Sequence, residues 1–316
     1  MMRLIGSATL IIAISLLPSC TRVPKEITPQ IQYTVQDRYL KNLPSPFAPL
    51  SSVEKQSDWG KEVLIGISFA KSLDLYRAIT AFRRAEILAP DTTSSRKREI
   101  QYAILLCYYL GKRYDEVIYA YTQSSLSQVT PEFPAFHDLL TILYDSYEQS
   151  DQCEQAAHIL ELIHHYYPKT YDTLKLSTAL SCADLPLIRE KASPEYPYLC
   201  PLLNSYDQGK KNPSTAAFLN TILPGSGYLY VGQKQTAVTA FLINGLFIAS
   251  SVYFFIHGPI AAGIITTSFE AGWYFGGIYG AAYQAKFYNE RLYESLATPV
   301  MQREGLFPIF RLNYAF

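Results

Sequence analysis

Between Ser214 and Ala285 the chain carries two formal charges, Lys234 and Glu270. A water-facing surface over so many residues needs more charge than that, so this segment constrains the fold more than any other feature. Two long apolar stretches, separated by His257-Gly258-Pro259, make up most of it. Ala237 to Ile256 is 20 residues with only Asn244 and a few hydroxyls as polar groups, enough to cross a hydrocarbon core about 30 Å thick. Pro259 to Tyr283 reads as a second span, which predicts a C-terminal transmembrane α-hairpin.

Within the second stretch Gly272, Gly276 and Gly280 recur every four residues and share one helix face. In lipid such a face lets backbones pack closely and offers a route to self-association; the alternative is simple tolerance of glycine in a membrane helix. An ionisable group at depth costs about 2.5–3.5 kcal/mol on insertion scales and tends to find a partner. Asn244 lies 14 residues before Gly258 and Glu270 lies 12 after it. In an antiparallel hairpin they sit within about one turn of equal depth, which predicts an Asn244–Glu270 contact. The functional alternative makes Glu270 a proton or ion site.

The rest of the 316 residues has room for a second domain. With a net charge of zero the chain lacks the basic footprint of a nucleic-acid binder. At the N-terminus, Arg3 precedes an apolar core from Leu4 to Leu17, so residues 1–19 read as a signal peptide and are set aside. Residues 20–58 are polar and carry five prolines, the composition of an extended tether.

From Trp59 to Pro168 the chain matches itself at a spacing of 39 residues. Ala78, Val117 and Ala156 are in register, as are Phe82, Tyr121 and Leu160, and Phe69, Tyr108 and Tyr147. Apolar positions within each unit fall at helical spacing, so residues 59–168 form three helical repeats. Residues 169–211 read as a helical extension and hinge, 212–290 as the membrane domain and 291–316 as a tail. The last seven residues alternate apolar and polar like a single strand.

Three resemblances add to this. Leu17-Pro18-Ser19-Cys20 resembles the bacterial lipobox, which implies a lipid on Cys20; an uncleaved anchor or an ordinary signal cut elsewhere are the alternatives. Ala78-Ile79-x-x-Phe82-x-x-Ala85 with Pro90, Gly111-Lys112-Arg113-Tyr114 and Asp151-Gln152-Cys153-Glu154 resemble tetratricopeptide repeats, and the plan is similar to the outer-membrane assembly lipoproteins of the Bam complex. The resemblance implies an all-α fold, a helical-repeat solenoid plus the membrane hairpin. It also implies a binding face on the first helices. By register that face carries Val63 and Ile67, then Tyr102, Leu106 and Tyr109, then Asp138, Thr141, Asp145 and Glu148. Some of these tyrosines could instead be buried against a helix of the 170–205 extension. Finally, Pro224, Gly225, Gly227, Tyr230 and Gly232 resemble the Pro-Gly-x-Gly-x-x-Tyr-x-Gly turn of small bacterial domains with two transmembrane helices, which implies topology and no chemistry.

Cys107 and Cys153 fall on helical core positions, whereas Cys182 and Cys200 are candidates for a disulfide in an exported protein. Glu161-x-x-His164 has the spacing of a di-iron ligand pair, but a matching second pair is absent, so no metal and no cofactor is expected. No Gly-x-Ser-x-Gly, P-loop or His-Glu-x-x-His occurs, and an enzyme is not expected. The sequence therefore points to a non-catalytic scaffold in a bacterial cell envelope. Its repeats lie on the periplasmic side, the inner membrane is favoured over the outer, and its partners are membrane lipid and an envelope protein or peptide. The competing reading is a transport or channel component that self-associates through the glycine-rich helix.

Overall fold

The computed structural model describes residues 23–24, 26–32, 43–90, 92 and 94–316. The expected signal peptide and Cys20 lie outside the described residues. The described chain is all-α, without strands. It forms two compact units: Ser181–Pro299 with the described residues up to Ile31, and the described residues from Gln32 to Leu180 with Val300–Phe316.

In the second unit, helical hairpins follow one another: α1 (Ser52–Gln56), α2 (Asp58–Lys71), α3 (Leu75–Leu88), α4 (Ser94–Leu110), α5 (Tyr114–Thr122), α6 (Phe136–Gln149), α7 (Cys153–Tyr166) and α8 (Pro168–Ser181). The 39-residue period has a local cause. Leu73, Lys112 and Asp151 all adopt positive φ, a left-handed residue that turns the chain after each first helix. The next amide closes each turn: Asp74 donates to the Phe69 carbonyl at 3.0 Å, Arg113 to Tyr108 at 3.0 Å and Gln152 to Tyr147 at 2.9 Å. Ala183 has the same backbone conformation after α8, a fourth turn that the period does not reach because the spacing there shortens. Ala78, Phe82 and Ala85 are buried against the neighbouring helices. A Cβ on Gly66 would lie 2.6 Å from the Phe82 ring, so glycine is what lets α2 and α3 approach.

Two expectations for the flanks change here. Residues 43–58 are no free tether. Arg96 on α4 pairs with Glu54 at 2.8 Å and donates to the carbonyl of Ala48 at 2.7 Å, and Ser51 with Glu54 forms a capping box on α1. The Arg96 hydrogen bond is the largest of several that hold the Glu54 carboxyl at about 2. The tail is no strand either: a 3-10 turn at Pro308–Arg311 leads into extended residues that pair with no sheet.

The other unit holds α9 (Leu185–Lys191), α10 (Leu199–Gly209), α11 (Pro213–Ile222), α12 (Ser226–Tyr230), α13 (Lys234–His257) and the long α14 (Ile260–Arg303). Helix α13 is long and apolar enough to cross a membrane, with mean hydropathy 1.8 and little of its surface covered. The expected second span is the first half of α14, where Thr266, Thr267, Ser268 and Glu270 dilute the apolar run. Gly258 at φ +106° caps α13. Ser251 bonds Thr266 at 3.0 Å and Gln233 bonds Gln284, so the two helices run antiparallel in one register. Continuing that register, residue 244 is level with 273 and residue 270 with 247.

The expected Asn244–Glu270 bond is absent, although the register brings the two residues within about a turn of equal depth. Asn244 instead donates to the carbonyl of Ala240 on its own helix at 2.6 Å. Its Oδ1 and both Glu270 carboxylate oxygens are buried without a hydrogen-bond partner. Within one copy of the chain the glycine face is largely open. A Cβ on Gly272 or Gly276 would meet nothing within 4 Å, and only Gly280 is covered, by the Tyr228 hydroxyl. The close approaches lie elsewhere: Gly225 has φ +93° and a Cβ there would sit 2.2 Å from the Ala237 carbonyl, while on Gly227 it would sit 2.2 Å from the Ala216 carbonyl and 2.7 Å from Ala281. Asn220 accepts the Gly225 amide at 2.8 Å. Pro224-Gly225-Ser226-Gly227 is thus the crossing point of α11, α12 and α14, and Gly232 at φ +84° starts the chain into α13. Cys182 and Cys200 are both exposed and no disulfide joins them.

Candidate functional site

The strongest polar constellation in the repeat unit surrounds Asp138, which is fully buried on the first turn of α6. A buried carboxylate must be hydrogen-bonded to remain charged. Its Oδ2 accepts two consecutive backbone amides, from Asn313 and Tyr314, each at 2.9 Å. Its Oδ1 lies 2.8 Å from His137 Nδ1, while His137 Nε2 lies 2.9 Å from the Thr170 hydroxyl. The Asn313 side-chain nitrogen joins the cluster, 2.9 Å from His137 Nδ1 and donating to Asp138 Oδ1 at 3.3 Å. Asp138 therefore grips the C-terminal tail by its main chain.

Beyond that grip the tail continues in extended form. The Ala315 amide donates to the Pro44 carbonyl at 3.0 Å, and the Phe316 ring stacks on Phe82 with centroids 6.3 Å apart. From the other side Phe47 packs edge-on to Tyr102 at 5.7 Å and against Phe133 at 5.6 Å. Two stretches of the same chain, 44–50 and 312–316, thus run along the first helices of the repeats. Beside Phe316 a cavity of about 440 Å³ remains, lined by Trp59, Val63, Ile67, Tyr102 and Leu106 with Lys55, Lys71 and Arg96 among its polar groups.

The residues expected to form an open binding face are therefore placed differently. Tyr102, Leu106, Tyr109, Asp138, Thr141 and Asp145 are all buried, because the chain's own segments and neighbouring helices cover them. Thr141 spends its hydroxyl on the His137 carbonyl at 3.0 Å. Tyr109 donates to Asp145 at 2.6 Å inside the core. Burial drives the Asp145 carboxyl up to about 6 despite that bond, and the Glu148 carboxyl is raised by burial and by Asp145 beside it. The Tyr102 hydroxyl is buried without a hydrogen-bond partner, and desolvation, with Asp138 and Tyr314 nearby, holds it far above the usual phenol range. Val63 and Ile67 do line the cavity, with the buried Tyr102 and Leu106 in its wall.

Sequence reasoning missed the other half of the site: His137, Asn313, Tyr314, Phe316, Phe47 and Arg96. The alternating tail Leu312-Asn313-Tyr314-Ala315-Phe316 was the available signal, since an extended segment with unpaired amides suits a groove as well as a sheet. The residues of this constellation hold the extended tail by main-chain bonds to Asp138 and by aromatic contacts. No protein-family model matches the chain, and no curated protein or solved structure resembles it at a significant level.

Proposed function

We infer that the chain is a non-catalytic, membrane-anchored scaffold of a bacterial cell envelope. Its tetratricopeptide-like solenoid takes an extended peptide segment of a partner, and its α13–α14 helices act as a transmembrane hairpin. The observation that carries the reading is the tail itself. An extended segment gripped through two backbone amides by Asp138 and anchored by a terminal aromatic ring is a peptide ligand supplied in cis. Main-chain bonds supply affinity in such grooves, and side-chain pockets supply selectivity. The open cavity lined by Val63 and Ile67 leaves room for a partner longer than the tail.

A photo-crosslinking residue placed at Ile67 in the full-length protein, in native membranes, tests this. Adducts with an envelope protein should increase when residues 312–316 are removed and decline when Asp138→Asn is added. Adducts indifferent to both changes overturn the reading.

The transport reading keeps one supporting observation. Glu270 on α14 is buried with neither oxygen hydrogen-bonded, and unpaired acids at membrane depth mark ion paths or assembly contacts. Ion flux through reconstituted protein that is lost in Glu270→Gln would favour it over the scaffold.

A further inference from the structure

A second cavity, about 730 Å³, lies in the unit that contains α13 and α14. One end is apolar, formed by Ala217 on α11 and by Phe275, Ile278 and Tyr279 on α14. Phe275 is 58% exposed, and Phe218 and Ile222 on α11 are exposed in the same way, so this end opens onto the apolar surface assigned above to lipid. The other end is cationic: Lys210, Lys211 and Lys286 line it against a single carboxylate, Asp207.

The charges around this end can be accounted for one by one. Lys210 pairs with Asp207 at 2.7 Å, and Arg189 reaches the same carboxylate at 3.0 Å. Lys286 is mostly buried and lies 3.6 Å from Glu290, whose carboxylate already accepts the Thr28 amide and hydroxyl. Lys211 has no carboxylate partner among the described residues. Its ammonium sits 5.0 Å from the ring centre of Tyr230 and 5.9 Å from that of Tyr288, and its backbone is held on both sides by Asn289, at 2.6 and 2.8 Å. A fixed backbone, an unneutralised ammonium and a nearly buried second lysine make a preorganised anion pocket at one end of an apolar trough.

We propose that this trough is a binding site for one anionic phospholipid. Lys211 and Lys286 hold the headgroup phosphate, and an acyl chain lies along Ile278, Tyr279 and Phe275. The proposal rests on the membrane reading of α13 and α14. It explains why three basic residues converge where the exposed apolar surface ends, and basic residues there strengthen attachment to anionic lipid.

The full-length protein, reconstituted in vesicles of phosphatidylcholine alone or mixed with phosphatidylglycerol, tests it, with retained lipid read by native mass spectrometry after detergent extraction. Retention of phosphatidylglycerol over phosphatidylcholine, reduced about fivefold by each of Lys211→Gln and Lys286→Gln and untouched by Lys234→Gln, supports the site. Both variants must keep the parent's helical content and melting temperature. Insertion into both vesicle types with no lysine-dependent preference overturns the trough while leaving the membrane reading intact. Failure to float with either vesicle overturns both. Displacement of phosphatidylglycerol by millimolar inorganic phosphate would assign the pocket to a free anion and overturn the lipid assignment.

Discussion

The ring of Phe316 lies stacked on the ring of Phe82, 16° from parallel, so the last residue of the chain rests on the central aromatic of the first repeat. Three residues upstream, Asp138 holds the tail by its main chain. These contacts turn what the residue pattern marks as an open face into an occupied one, and each of them can be broken separately.

Asp138→Ala removes the acceptor of two charge-assisted bonds and should cost about 3 kcal/mol, since bonds to charged groups contribute about 1.5–3 kcal/mol each and do not add fully. The Asn313 and Tyr314 amides should lose protection in hydrogen exchange before the repeat helices do. Simultaneous loss throughout the repeats would mean that Asp138 supports the core and not the tail.

Asp145 gives the repeats a pH signature. Its folded pKa is raised, from 3.8 to about 6. The folded state therefore binds the extra proton between those values, and stability falls as pH rises through that window and then levels off. The drop is about 3 kcal/mol at most. Asp145→Asn keeps an acceptor for Tyr109 and should flatten the slope, as read from denaturant midpoints between about pH 4 and about pH 7.

The glycines separate into two classes. Gly227→Ala drives a Cβ to 2.2 Å from a backbone carbonyl and 2.7 Å from Ala281, and should cost about 3 kcal/mol by overpacking. Gly232→Ala meets open space and carries only the left-handed backbone penalty of about 1 kcal/mol. Gly272→Ala and Gly276→Ala should leave the unfolding of a monomer in detergent unchanged. Thermal melts in detergent rank the four.

On the membrane reading proposed above, Glu270→Gln should stabilise the α13–α14 pair by about 1–3 kcal/mol, because an acidic group at membrane depth without a partner is costly. Unfolding in mixed micelles reads this. A destabilised variant would mean that the carboxylate has a partner supplied by another copy or by an ion.

How far the sequence carried depended on whether a feature was local. The 39-residue period was legible because each turn is made by residues close in sequence, a left-handed Leu73, Lys112 or Asp151 followed by a closing amide. The length of α13 was legible from composition. Asp138 stands out in the sequence as part of a partner-binding face, but the segment meeting it lies 175 residues away, and no local pattern announces such a pairing. The Asn244–Glu270 bond failed for another reason: the Ser251–Thr266 and Gln233–Gln284 bonds keep the depth counted from Gly258, but equal depth does not fix side-chain direction, and Asn244 turns back to the Ala240 carbonyl of its own helix.

A scaffold of the proposed kind needs its tail to be a displaceable peptide ligand. The direct measurement is a calorimetric titration of the synthetic hexapeptide Arg-Leu-Asn-Tyr-Ala-Phe into the chain ending at Phe310. Saturable one-to-one binding, lost in Asp138→Ala and absent when the full-length chain is titrated, is the predicted result. A folded truncated chain that takes up no peptide would contradict it.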